Sequence, residues 1–135
     1  IRTGRIHAIS AEKQGIGKSC WFSFLSMIFS SKYCVFHENI DTYLSNFNWH
    51  LHSKLIHFID DLQACSKTQT RKLYSKVTSN RILVEKKGET PIPMNEFSEL
   101  WITGNQNSCS LHVCAEVRRI IIYKASPSLK GQKQF

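Results

Sequence analysis

The 135-residue sequence has no run of the roughly 18 apolar residues that a membrane-crossing helix needs. Its longest apolar stretch, Cys20 to Phe29, is about half that length and is interrupted by serines. It also shows no basic-then-apolar leader ending in small residues, so an intracellular setting, cytoplasm or nucleus, is expected. Its five cysteines (Cys20, Cys34, Cys65, Cys109, Cys114) are odd in number, irregularly spaced and without a C-x-x-C pair. That argues against a disulfide framework and for a reducing compartment. Cys109, His112 and Cys114 stand close together, but with no second half of a site a zinc centre is disfavoured. There is no internal repeat and no low-complexity linker, which leaves one domain, residues 1–125, and a polar tail, 126–135. Acidic residues are scarce, 10 against 18 Lys and Arg. The resulting charge of +8 and pI near 9.4 favour a polyanionic partner, with nucleic acid the commonest and a lysine-rich solvated face the alternative. Apolar content of 41% and charged content of 21% are globular values and exclude wholesale disorder.

What is present centres on Gly15-Ile16-Gly17-Lys18-Ser19, between an extended run, Arg5 to Ser10, and an apolar-faced run, Trp21 to Phe29. A glycine turn between a strand and a helix can aim backbone N–H groups and a helix N-terminus at an anion, and Lys18 adds a full positive charge. Ser19 is placed to offer its hydroxyl to a magnesium ion. The match to G-x-x-x-x-G-K-[ST] is incomplete, because Glu12 stands where the first glycine belongs. A surface helix start with a basic residue nearby is the alternative.

The remaining elements follow in order. Trp21, Phe22, Leu25, Ile28 and Phe29, with Phe24 at the edge, predict one buried helix face. Tyr33 to His37 reads as a second strand and Asn39 to His50 as a partly helical connection. Lys54 to Asp61 is an apolar run ending on two carboxylates. Buried parallel strands read this way, and their carboxyl ends carry ligand groups, so Asp60 and Asp61 suit a metal ligand and a water-orienting base; a turn or helix cap is the other reading. Ser66 to Ser79 predicts a helix with Leu73 and Val77 inward and Lys67, Arg71, Lys72 and Lys76 outward. Ile82 to Met94 predicts a hairpin with Lys86 and Lys87 near its turn. Such a basic helix and hairpin suit phosphates of a single strand, or a plain solvated edge. Glu99 to Thr103 is an apolar strand ending at Gly104-Asn105, and Arg118 to Tyr123 a last buried strand entered by two arginines.

Together, Gln14 to Ser19, Phe47-Asn48-Trp49-His50-Leu51, Ile56 to Asp61, Val84 to Gly88, Ile102 to Asn105 and Arg118-Arg119 resemble the ATPase core of superfamily 3 helicases, of the viral and mobile-element primase-helicase type. The resemblance spans residues 5–124. It implies a three-layer α/β P-loop NTPase sandwich of the ASCE, AAA+-like kind, with a mainly parallel sheet and an inserted β-hairpin. It also implies a homo-oligomeric ring, usually a hexamer, that hydrolyses ATP with Mg2+ while moving along single-stranded DNA. By position, Gln14, Gly15, Ile16, Gly17, Lys18 and Ser19 bind the nucleotide, Lys18 holding the β and γ phosphates and Ser19 with Asp60 the magnesium. Asp61 orients the attacking water and Asn105 senses the γ-phosphate. Arg118 or Arg119 is the finger reaching into a neighbour's site, and Lys86 and Lys87 contact DNA. Asp61 is one methylene shorter than the glutamate of many relatives, and the sequence has no counterpart of the family's helical collar or of a primase domain. The expectation is therefore a fragment, a trimmed domain or a decayed copy, with a non-hydrolysing nucleotide- or DNA-binding module of the same fold as the alternative function.

Overall fold

The structure, a computed structural model, describes residues 3–11, 17, 19–62, 65–105 and 119–125. Five strands form one sheet: β1 (Ile6–Ala11), β2 (Cys34–His37), β3 (Ile56–Ile59), β6 (Glu99–Asn105) and β7 (Ile120–Lys124), in the order β2-β3-β6-β1-β7. Every pairing in it is parallel. Parallel strands need both faces covered, and here helices lie on each side. The helix α1 (Cys20–Phe29) lies on one face, and α2 (Ile40–Leu44) with α3 (Lys67–Thr78) on the other. A separate antiparallel hairpin pairs β4 (Arg81–Val84) with β5 (Ile92–Asn95), as its alternating pattern and Lys-Gly turn predict. The fold is thus α/β with a parallel sheet and a small inserted hairpin.

The period-2 alternation of side chains sorts the strands' residues between the two faces. On the α3 side Ile6, Ala8, Ile59, Leu100 and Ile102 join Tyr43, Leu73, Tyr74 and Val77 in the larger core. On the α1 side Leu25, Cys34 and Ile56 form a smaller one, flanked by Trp21, Phe22 and Trp101. Helix α3 carries the predicted inward Leu73 and Val77, and it starts at a capping box. The Ser66 hydroxyl accepts from Gln69 N–H at 3.1 Å, and the Gln69 side chain accepts from Ser66 N–H at 2.9 Å. Gln69 also donates to Asp41 at 2.9 Å, which ties α3 to α2.

Three expectations are corrected. The predicted buried stripe of α1 is only partly covered: Leu25 is buried and Trp21 and Phe22 half-buried, while Phe24, Ile28 and Phe29 are exposed. Only the first half of the helix sits on sheet aromatics, with Trp21 on Trp101 and Phe22 on Phe36 and Phe58. Lys76 does not point outward with its neighbours. Its ammonium lies 4.1 Å from the Tyr43 ring centroid and donates to the Tyr43 carbonyl, so the stem packs inward while the charge finds an acceptor. The last strand is not buried. Among the described strands β7 sits at the sheet edge beside β1, and Ile122 and Tyr123 are exposed. By contrast β6 runs to Asn105, opposite Ala11 at the end of β1, in keeping with a strand that ends at Gly104-Asn105.

Candidate functional site

The carboxyl ends of β1, β3 and β6 lie side by side, because β6 runs between the other two. That end of a parallel sheet is where open α/β folds bind ligands. Gly17 has φ +80°, a left-handed backbone that side-chain-bearing residues rarely adopt, and its carbonyl accepts from Cys20 N–H at 3.0 Å as α1 begins. The glycine is therefore required by the turn that delivers the chain into the helix.

Ser19 occupies the N-cap position of α1 but does not cap it. An N-cap serine ordinarily accepts from an N–H of the first turn. Here the Ser19 hydroxyl donates instead to Asp60 Oδ2 at 2.7 Å, across 41 residues of sequence. The first turn of α1 also carries no acidic residue that would oppose an anion at the helix start.

Asp60 is fixed from its other side. Thr103, fully buried on β6, donates its hydroxyl to Asp60 Oδ1 and accepts from Asp61 N–H at 2.8 Å. Asp61 N–H also lies 3.1 Å from Asp60 Oδ1, and the Thr103 carbonyl accepts from Leu62 N–H at 2.7 Å. This clasp bends the chain sharply after β3: Asp61 takes φ +48°, a region aspartate tolerates better than most residues, and its side chain is exposed beside the clasp. A cavity of about 240 Å³ opens there, lined by Glu38, Asp41, Asp60, Asp61 and Gln69 among others.

The predicted site residues are therefore placed unequally. Gly17, Ser19, Asp60 and Asp61 are brought to one end of the sheet, and Asn105 ends β6 next to the end of β1. Gln14, Gly15, Ile16, Lys18 and Arg118 lie outside the described residues, as do Glu12 and the Cys109, His112, Cys114 group. Arg119 directly precedes Ile120, which pairs with Ile6 at the amino end of β1. It stands at the opposite end of the sheet from Asp60, about 13 Å along the strand direction and also three strands across. Lys86 and Lys87 are exposed on the hairpin, and Lys86 is paired with Glu89 at 2.8 Å. Among the described residues no group of three or more His, Cys, Asp or Glu could hold a metal by itself.

Two contributors carried no assigned role in the sequence. Thr103 is one: a β-branched residue in an apolar strand reads as strand propensity, and only its burial reveals the hydroxyl's use. Asn48 is the other. Its buried amide donates to Leu83 O and accepts from Glu85 N–H, each at 2.9 Å, while Trp49 N–H donates to Glu85 O at 3.2 Å. This pins the hairpin to the 45–51 segment. Trp49 is exposed beside it, stacked on His52 with centroids 4.7 Å apart, and Lys86 Nζ lies 5.8 Å from the Trp49 ring.

These features define an α/β protein with a parallel sheet and a polar site at the carboxyl ends of its central strands. A family profile matches residues 9–119, and the chain belongs to that family, DUF5906, a family of unknown function. Among solved structures it is similar to the A form apo structure of the NrS-1 C terminal region, with a TM-score of 0.77 at 22% identity, covering 99% of this chain and 32% of that one. A second apo structure of the NrS-1 C terminal region (305-718) gives a TM-score of 0.75 at 25% identity, with the same 99% and 32% coverage. This chain thus spans about a third of the length of the solved chains it resembles. No curated protein matches it.

Proposed function

We propose that this chain is the magnesium-dependent ATPase core of a superfamily 3 type DNA helicase, a P-loop NTPase acting in replication of a virus or mobile element. The observation that carries this reading is the Ser19 hydroxyl, which forgoes its own helix cap to meet Asp60. A helix cap alone gives no reason for that choice; a shared ligand does. Magnesium prefers oxygen donors, and it typically binds through one or two carboxylates together with substrate phosphates. A hydroxyl and a carboxylate oxygen 2.7 Å apart beside a glycine turn fit that donor set. Bound magnesium supplies charge neutralisation at the phosphates.

The chain's own residues supply the rest. The loop Gln14 to Ser19 wraps the phosphates with backbone N–H groups, and Lys18 adds its charge at the β and γ positions. Asp61, exposed next to the clasp, orients the attacking water, and Asn105, at the end of the intervening strand, hydrogen-bonds the γ-phosphate. The location of Arg119 at the far end of its own sheet supports service in a neighbouring copy's site, as in a homo-oligomeric ring in which Arg118 or Arg119 is the finger. Lys86 and Lys87, with exposed Trp49 beside Lys86 and exposed Phe47 two residues before Trp49 in the chain, suit a single DNA strand, whose phosphates meet the cations and whose bases stack on the rings. Likeness of fold to the NrS-1 C terminal region is consistent with this reading.

The test is thermal melting of the chain with and without ATP and magnesium, beside Lys18→Ala. A ligand that binds only the folded state stabilises it by about 2.7 kcal/mol at a hundredfold excess over Kd. A rise in Tm in the parent but not in Lys18→Ala is expected, followed by phosphate release that needs magnesium and increases with single-stranded DNA. One observation favours a second reading: Glu12, in place of the first loop glycine, brings a carboxylate towards the phosphates. Binding without turnover would identify a non-hydrolysing nucleotide- or DNA-binding module of the same fold, and no shift in either protein would reject the phosphate site.

A further inference from the structure

A second cavity lies on the hairpin side of the molecule, away from the Ser19–Asp60 end. It is an open groove of about 460 Å³ between α3, the 44–48 segment and β4. Its charged lining is Lys72, Lys76 and Arg81 against Glu85 alone, and Asn46 and Ser75 add exposed hydrogen-bonding groups. Lys76 is committed to Tyr43. Lys72 and Arg81 are exposed, and among the described residues neither has an ion-pair partner. Two other cations of α3, Lys67 and Arg71, are equally exposed but do not line the groove. The cationic face of α3 is therefore divided, one part facing a cavity and the other facing bulk solvent.

We propose that this groove binds backbone phosphates of the same single DNA strand that the hairpin lysines contact, with Lys72 and Arg81 as the phosphate ligands. The inference rests on the DNA-binding reading above and extends it to a site on another element. Charge complementarity argues for an anionic occupant. Continuity argues for a strand rather than an isolated anion: the lining includes Asn48 and Glu85, whose chain neighbours Trp49 and Lys86 carry exposed aromatic and cationic side chains. A track of cations beside exposed rings is how sequence-tolerant single-strand binders hold successive nucleotides. The groove's breadth suits a chain of phosphates and sugars better than a flat base, since its lining offers no exposed aromatic ring.

The experiment measures Kd of the full chain for labelled oligothymidylate across a salt series, for the parent and three double variants. Lys72→Ala/Arg81→Ala removes the groove cations, Lys86→Ala/Lys87→Ala the hairpin cations, and Lys67→Ala/Arg71→Ala the same charge from the solvent-facing part of α3. Melting curves confirm that each is folded, which the exposure of all six side chains favours. The groove pair is expected to raise Kd about tenfold at low salt and to reduce the slope of log Kd against log salt by about 1.4, near 0.7 for each lost phosphate contact on a single strand. The Lys67/Arg71 pair leaves the slope unchanged. Equal effects of those two pairs would mean net charge alone is at work and would overturn the proposal. A weakened hairpin variant beside an unchanged groove variant would overturn the groove while keeping the hairpin reading. A parent that does not bind oligothymidylate would overturn both.

Discussion

The two faces of the sheet are built on different terms. Helix α1 is almost entirely apolar, Cys-Trp-Phe-Ser-Phe-Leu-Ser-Met-Ile-Phe, yet buries only Leu25 and leaves Phe24, Met27, Ile28 and Phe29 in solvent. Helix α3 is mostly polar, yet buries Thr70, Leu73, Tyr74 and Val77. Apolar content thus does not decide which helix anchors the fold; what decides is whether apolar residues recur on one face and meet a complementary surface. α3 meets the aliphatic side of the sheet, whereas α1 sits on its aromatic side.

The largest expected effects test this asymmetry directly. Leu73→Ala empties a fully buried position in the larger core and is expected to cost about 2–5 kcal/mol in urea unfolding, with Leu25→Ala at or below the bottom of that range. Equal losses would break the comparison. Acid sharpens it next, because the buried His37–His57 pair, Nε2 to Nδ1 3.1 Å, lies on the α3 side against Tyr43. Burial, with the charges of Lys76 and His50, lowers the His37 pKa from 6.5 to about 4. The unfolded chain then binds a proton that the folded chain refuses. Stability is held above pH 6.5 and falls between 6.5 and 4, by about 3 kcal/mol from this group. Unfolding midpoints measured across that window check it, and a flat profile would reject it.

A smaller pair of effects sets the same residue type at the same position on each helix. Ser66→Ala removes a working cap and is expected to cost about 1 kcal/mol. Ser19→Ala removes no cap but does remove the bond to Asp60, so the free protein is expected to lose a similar amount, about 1 kcal/mol, and any stabilisation by ATP and magnesium is lost as well. Smallest of all, Met27→Ala on the bare end of α1, where the side chain is 84% exposed, should move stability by no more than about 0.5 kcal/mol.

The contrast also explains what was legible in the sequence. α3 could be read because Leu73 and Val77 stand out among lysines, whereas the capping box of Ser66 and Gln69 came only with the structure. α1 offered no such contrast: a helix apolar all round does not say which side it buries. The order Gly17, Ser19, Asp60, Asp61, Asn105 was legible because each falls at an element's end, where polar residues interrupt apolar runs. The clasp by Thr103 was not, since it joins residues 43 apart. Nor was the His37–His57 contact, which depends on the parallel register of β2 and β3. The edge position of β7 likewise follows from a strand order that no local pattern encodes.

Asn48 has a mechanical consequence. Among the described residues β4 and β5 pair only with each other, and Glu96 N–H on Asn80 O at 3.0 Å extends their own ladder by one rung. Near the lysine-bearing end they are tied to the 45–51 segment by the Asn48 side chain and by Trp49 N–H on Glu85 O. The placement of Lys86 and Lys87 is thus indexed to the body through the 45–51 segment rather than through a shared ladder.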